Sequence, residues 1–189
     1  MKTNPFFKDP DYLLFIAIII IATALRLYML DTRPFHHDES AVGSFTYKLF
    51  NNGEYEYTPV FHGPFIYFLT SGIFHLIGDT IFSARLLPAL TGVGMVLLTY
   101  PFRNYLDRPD WLIATTFFTL SPSFLYYSRF FRNDIFITFF TFATIIYTAK
   151  YLENQDRPRR LIYLALGSAS LGFSVTAKEN AYVIIAMLV

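Results

Sequence analysis

The hydrophobic positions of this chain fall in long unbroken runs, not in the alternation of a half-buried strand or the single stripe of a soluble amphipathic helix. Runs at about 12–30, 85–102, 111–128, 135–151 and 161–177 are each close to the roughly 20 residues a helix needs to cross bilayer hydrocarbon. In lipid only helices and closed barrels satisfy their own backbone groups, and these runs are too long and too uniformly apolar for barrel strands. The pattern predicts an all-α fold, a polytopic transmembrane helix bundle. Another apolar run opens at Ala181 and is still running at Val189. We therefore expect 181–189 to be a truncated span and 1–189 to be the N-terminal part of a longer membrane domain.

Two shorter stretches do not fit a span. Ser40–Asn52 places Val42, Phe45 and Leu49, with Ala41 and Phe50, on one side of a helix suited to lie in the membrane interface, and Asn51-Asn52-Gly53 stops it. The segment 64–78 is short for a crossing, and whether it crosses sets the orientation of everything after it. If it crosses, 8 basic residues lie outside and 6 inside; if it stays at the outer surface, the 8 inside are Lys2, Lys8, Arg103, Arg108, Lys150, Arg157, Arg159 and Arg160. The excess of Lys and Arg in short cytoplasmic loops prefers the second arrangement. The expectation is a cytoplasmic N-terminus, an uncleaved first span, and a long extracytoplasmic loop from Asp31 to about Arg85 with juxtamembrane helices at about 40–52 and 64–78. Ser128–Asp134 and Ala177–Asn180 would face the same side.

Composition agrees and narrows the classes. The chain is 54% hydrophobic and only 15% charged, against the roughly 25% of soluble domains, and its mean hydropathy is +0.40. With 15 Lys and Arg against 14 Asp and Glu there is no basic field for nucleic acid. The absence of Cys excludes disulfides, thiolate metal sites and a Cys nucleophile.

The few charges then carry the chemistry. His36-His37-Asp38-Glu39 follows the first span, with Asp38 near the start of a short helix whose free N–H groups favour an ionised carboxylate. The plainer reading is that Asp38 is a helix cap. His62 returns to the same surface, and imidazole with carboxylate (His62, His37 and Asp38) suits Zn²⁺ or Mn²⁺ and, less well, Mg²⁺; a lone His62 is more often a capping or packing residue. Ser128-Arg129-Phe130-Phe131-Arg132-Asn133-Asp134 joins two spans, and its guanidinium groups suit phosphate, although such a loop also serves as an interfacial anchor. Arg85 and Arg26 invite a snorkelling reading. Lys178-Glu179-Asn180 reads as an ion pair, a loop cap or part of a site. What favours a site is that the preferred topology puts Asp38, His62, Arg85, Asp134 and Lys178 on one side of the membrane.

The chain resembles the GT-C-type polytopic glycosyltransferases, the superfamily of the dolichyl-phosphate-mannose protein mannosyltransferases and the lipid A aminoarabinose transferases. The resemblance rests on Asp38-Glu39, Phe61-His62-Gly63-Pro64, the run Arg85 to Gly92 (RLLPALTG) and the run Ser128 to Asp134, in the family's order. His-His-Asp-Glu and His-Gly-Pro look most like the archaeal flippase-activity-associated group. The resemblance implies inverting, metal-assisted transfer of a sugar from a polyprenyl-phosphate donor to a protein or lipid acceptor on the extracytoplasmic face, with no organic cofactor. It implies Asp38 as the catalytic base with Glu39 beside it. Arg85, Arg129, Arg132 and Lys178 become the donor-phosphate ligands, and Asp134 an orienting acid. His62 stands where the aminoarabinose transferases have a metal-binding Glu, and Gly63 where they have Lys. The rival reading is a non-catalytic partner in moving lipid-linked sugars across the membrane; charges at a surface loop rather than at midplane broken helices favour chemistry.

Overall fold

The structure, a computed structural model, describes residues 10–57 and 62–188; Lys2, Lys8 and Phe61 of the sequence reading lie outside them. Every regular element among the described residues is helical. The order is α1 (Pro10–Leu27), α2 (His37–Asn52), α3 (Phe65–Ile77), α4 (Ile81–Leu97), a 3₁₀ turn (Tyr100–Asn104), α5 (Arg108–Leu120), α6 (Pro122–Ser128), α7 (Asp134–Glu153), α8 (Arg157–Ala177) and α9 (Ala181–Leu188).

Four stretches are long and apolar enough to cross a membrane: Pro10–Leu27, Ile81–Asn104, Asp134–Glu153 and Arg157–Ala177. Their outward faces stay apolar, with Ile20, Ile145 and Leu161 exposed, as expected where lipid tails replace water.

The region expected to be one helix over 111–128 is two. Pro122 has no N–H, so the carbonyl of Phe118 loses its helical donor and the chain breaks at Ser121. Arg26 supplies the missing donor: its Nη2 reaches Phe118 O at 2.8 Å and its Nη1 reaches Ala22 O at 3.2 Å. Arg26 is fully buried, not snorkelling. Gly92 of α4 makes room, since a Cβ there would sit 2.7 Å from Arg26 Nε and 2.3 Å from the Cβ of Ser128.

The short helices α2 and α3 lie at one end of the bundle. Arg85, in the second turn of α4, donates to the carbonyls of Leu30, Arg33 and Pro34 just after α1, so α4 begins where α1 finishes. Gly63, before α3, lies against the C-terminus of α8, where a Cβ would meet Thr176 O at 2.0 Å. With 13 residues, α3 is about 20 Å long against about 30 Å of hydrocarbon. Beneath this end a core of Val42, Ile66, Tyr67, Phe131, Ile135 and Phe136 ties α2, α3 and α7 together. At the opposite end Arg108 pairs with Asp11 (2.6 Å), and the Tyr105 hydroxyl bonds to Glu153.

Candidate active site

The site grows from the first turn of α2. His36 is the N-cap: its Nδ1 accepts from the Asp38 amide at 3.4 Å, while its own amide donates to Glu39 Oε2 at 3.1 Å, a reciprocal capping box. Gly53 closes the helix in a left-handed conformation (φ 69°), its N–H on Leu49 O.

Glu39 points inward and is buried. Arg85 grips it with two parallel bonds, Nε to Oε1 at 2.8 Å and Nη2 to Oε2 at 2.7 Å, and the Phe131 amide adds a third donor to Oε1 at 2.9 Å. Burial alone would raise this carboxyl's pKa, but the Arg85 hydrogen bonds, the Phe131 and His36 amides and the Arg85 charge outweigh it. The carboxyl is held below its usual range. Arg85 makes five hydrogen bonds, two to Glu39 and three to carbonyls, which matches its five N–H groups and leaves no donor turned to another ligand. It also lies over the Phe35 ring, at 5.4 Å.

Asp38, one residue earlier, faces the other way. Its side chain is 47% exposed, and Oδ2 accepts from Arg132 Nη1 at 2.7 Å. Arg132 in turn faces Asp134 at 3.5 Å, and Lys178 Nζ donates to Asp134 Oδ1 at 2.6 Å. Four residues from α2, the loop before α7, α7 itself and the loop after α8 thus form one chain of alternating charge. Oδ1 of Asp38 has no hydrogen-bond partner among the described residues.

The remaining sequence candidates lie around this chain. His62, in a left-handed conformation (φ 69°), places Nδ1 2.9 Å from Glu179 Oε2, and Tyr57 donates to the same carboxylate at 3.2 Å. Burial works against the Glu179 charge, but its own amide, His62 and Tyr57 prevail and lower its pKa. His37 is exposed. Among the described residues no three His, Asp or Glu side chains are grouped to hold a metal ion, His62, His37 and Asp38 included. Arg129 turns back to α1, donating to Leu25 O at 2.5 Å and Met29 O at 3.2 Å.

Sequence reasoning missed the parts of four residues. The Phe131 amide carries no side-chain signature, and His is not among the preferred N-cap residues. Glu179 was visible only as the neighbour of Lys178. Asn133, 2% exposed, has no hydrogen-bond partner for either polar atom of its amide among the described residues.

The bundle is all-helical with a charged chain at the end that gathers the loops, and comparison with known proteins places it in the GT-C-type architecture. The solved structure of ArnT from Cupriavidus metallidurans bound to undecaprenyl phosphate superposes with a TM-score of 0.71 at 18% identity, covering 88% of this chain and 32% of that one. The chain thus spans about a third of the length of that protein. Residues 16–189 match the dolichyl-phosphate-mannose-protein mannosyltransferase family, and the chain belongs to it. No curated protein matches the chain.

Proposed function

We propose that the protein to which this chain belongs is a membrane glycosyltransferase that moves a sugar from a polyprenyl-phosphate donor to an acceptor hydroxyl, with inversion, on the extracytoplasmic face. Family membership supports the reaction class, and the undecaprenyl phosphate bound in the ArnT structure is the kind of lipid such a donor leaves behind. The observation that carries the assignment is the open oxygen of Asp38 at the head of a charge chain whose other end is Lys178.

In this reading Asp38 takes the acceptor's proton as its oxygen attacks the anomeric carbon and the bond from that carbon to the phosphate oxygen breaks. The transition state has oxocarbenium character, so the departing phosphate needs nearby positive charge. Arg132 and Lys178 supply it, each already oriented by Asp134. Glu39 and Arg85 hold the first turn of α2 against the loop before α7. Their part is to position Asp38 opposite Arg132.

The test is transfer from a polyprenyl-phosphate sugar by the full-length protein and its Asp38→Asn variant. Loss of a positioned base lowers the rate by about 10²–10⁴-fold. An unchanged rate removes Asp38 from the chemistry, and no transfer by the wild type with any acceptor favours a role in lipid-linked sugar movement.

A further inference from the structure

The loop after α8 is held from two sides. At Lys178 the chain leaves the helix in an extended conformation (φ −159°, ψ 145°), and α9 opens at Ala181, whose N–H bonds to Lys178 O. Along extended backbone successive side chains point to opposite faces. Lys178 turns to α7, where Nζ donates to Asp134 Oδ1 at 2.6 Å. Glu179 turns to the link between α2 and α3, where Oε2 meets His62 Nδ1 at 2.9 Å and Oε1 accepts from the Tyr57 hydroxyl at 3.2 Å.

The two attachments depend on each other. Rotation about the backbone of Lys178 would swing Nζ off Asp134, and the same rotation would pull Glu179 from His62 and Tyr57. A lysine has a flexible four-carbon stem, and one ion pair that solvent still reaches holds such a stem weakly; here Asp134 is 27% exposed. His62 is itself fixed in a conformation uncommon for a residue with a Cβ (φ 69°), and that conformation presents Nδ1 to Glu179. Strain of this kind persists where the surroundings over-determine it, and the close crossing of Gly63 on Thr176 O does so.

We propose that Glu179 is a positioning residue: clasped by His62 and Tyr57, it holds the Lys178 ammonium on Asp134, at the end of the charge chain away from Asp38. Glu179 touches no reacting atom. The consequence for transfer rests on the function proposed above. There the donor is a singly charged phosphodiester and the departing monophosphate gains charge, so an ammonium held in place is felt in kcat more than in KM.

Acylation of the full-length protein in detergent by an amine-reactive ester, followed by mass spectrometry, reads the clasp without any substrate. Lys48, exposed on α2 and outside the clasp, is the internal standard. Relative to Lys48, Lys178 in Glu179→Ala should react about 3–5-fold faster than in the wild type, as expected for release of a partly exposed ion pair. Asp134→Asn, which removes the pair itself, should give at least the same rise. Glu179→Gln, whose amide oxygen still accepts from Tyr57, should stay within about 2-fold of the wild type. An unaltered Lys178 rate in Glu179→Ala or in Asp134→Asn overturns the proposal. So does a rise shared by Lys48, which reports general loosening, or a Glu179→Gln rate equal to that of Glu179→Ala.

Transfer from the polyprenyl-phosphate sugar gives a second reading. Glu179→Ala should lower kcat about 5–10-fold with donor KM changed less than about 2-fold, and should add nothing in a Lys178→Met background, because it acts through Lys178. Loss in Lys178→Met without loss in Glu179→Ala, or losses that add, overturns the clasp and leaves the proposed function standing. Full transfer in Lys178→Met removes Lys178 from the chemistry, and the positioning role with it.

Discussion

Asp38 and Glu39 are adjacent carboxylates on one helical turn, yet they live in different worlds. Glu39 is 1% exposed and receives Arg85 twice, the Phe131 amide and the His36 amide. Asp38 is half exposed, has one guanidinium partner and keeps an oxygen open. A rotation of about 100° per residue is enough to send one carboxylate into the core and the other to the surface. A carboxylate with every lone pair engaged organises structure. One with a free oxygen beside a guanidinium is equipped for proton transfer.

The contrast breaks most readily at its buried half. Arg85→Met leaves Glu39 charged without its partner, and removing one member of a buried pair costs about 3–5 kcal/mol; chemical unfolding in detergent measures it, and a loss under 1 kcal/mol would show that the pair is not structural. Gly63→Ala comes next. Its Cβ would overlap Thr176 O, a backbone atom that cannot swing aside, so overpacking costs about 1–3 kcal/mol and loosens the bond between His62 and Glu179. Protease protection of the loop after α8 reads this, and unaltered protection argues against the close crossing.

Arg26→Leu leaves the Phe118 carbonyl unsatisfied at the α5–α6 break, at about 1–3 kcal/mol, and the melting temperature should fall. The pH dependence is subtler. Because Glu39 has a pKa below its unfolded value, its stabilisation is fully present above the ordinary carboxylate range and is lost as pH falls through the folded value. Melting temperature should therefore change little from Glu39 between about pH 7 and 5 and decline below that, a decline reduced in Glu39→Gln. The smallest effect is expected from Lys178→Met, whose pair with Asp134 is partly exposed: about 1 kcal/mol or less in stability.

Much of this was legible from sequence. Runs of apolar residues announced the spans, and Asp38, Arg132, Asp134 and Lys178 were all singled out before their contacts were visible. The Gly53 stop follows from local turn chemistry. What sequence did not distinguish was the division between Asp38 and Glu39, because it depends on which way the helix faces a loop more than 90 residues away. The resemblance implies a phosphate role for Arg85; that its N–H groups go to Glu39 and to three carbonyls was not legible, because every residue has a carbonyl. The break in 111–128 was hidden because Pro122 sits inside an otherwise apolar run, and the donor that stabilises the break comes from α1. Gly63 read as a missing lysine; the structure gives a steric reason for a glycine there.

Asp38 works while Glu39 builds, and the melting temperatures of Asp38→Asn and Glu39→Gln, measured side by side in the same detergent, separate the two roles. Asp38→Asn should melt within about a degree or two of wild type, as expected for an exposed ion pair worth about 1 kcal/mol or less, while Glu39→Gln melts well below both. Equal destabilisation by the two substitutions, or a larger loss in Asp38→Asn, would contradict it.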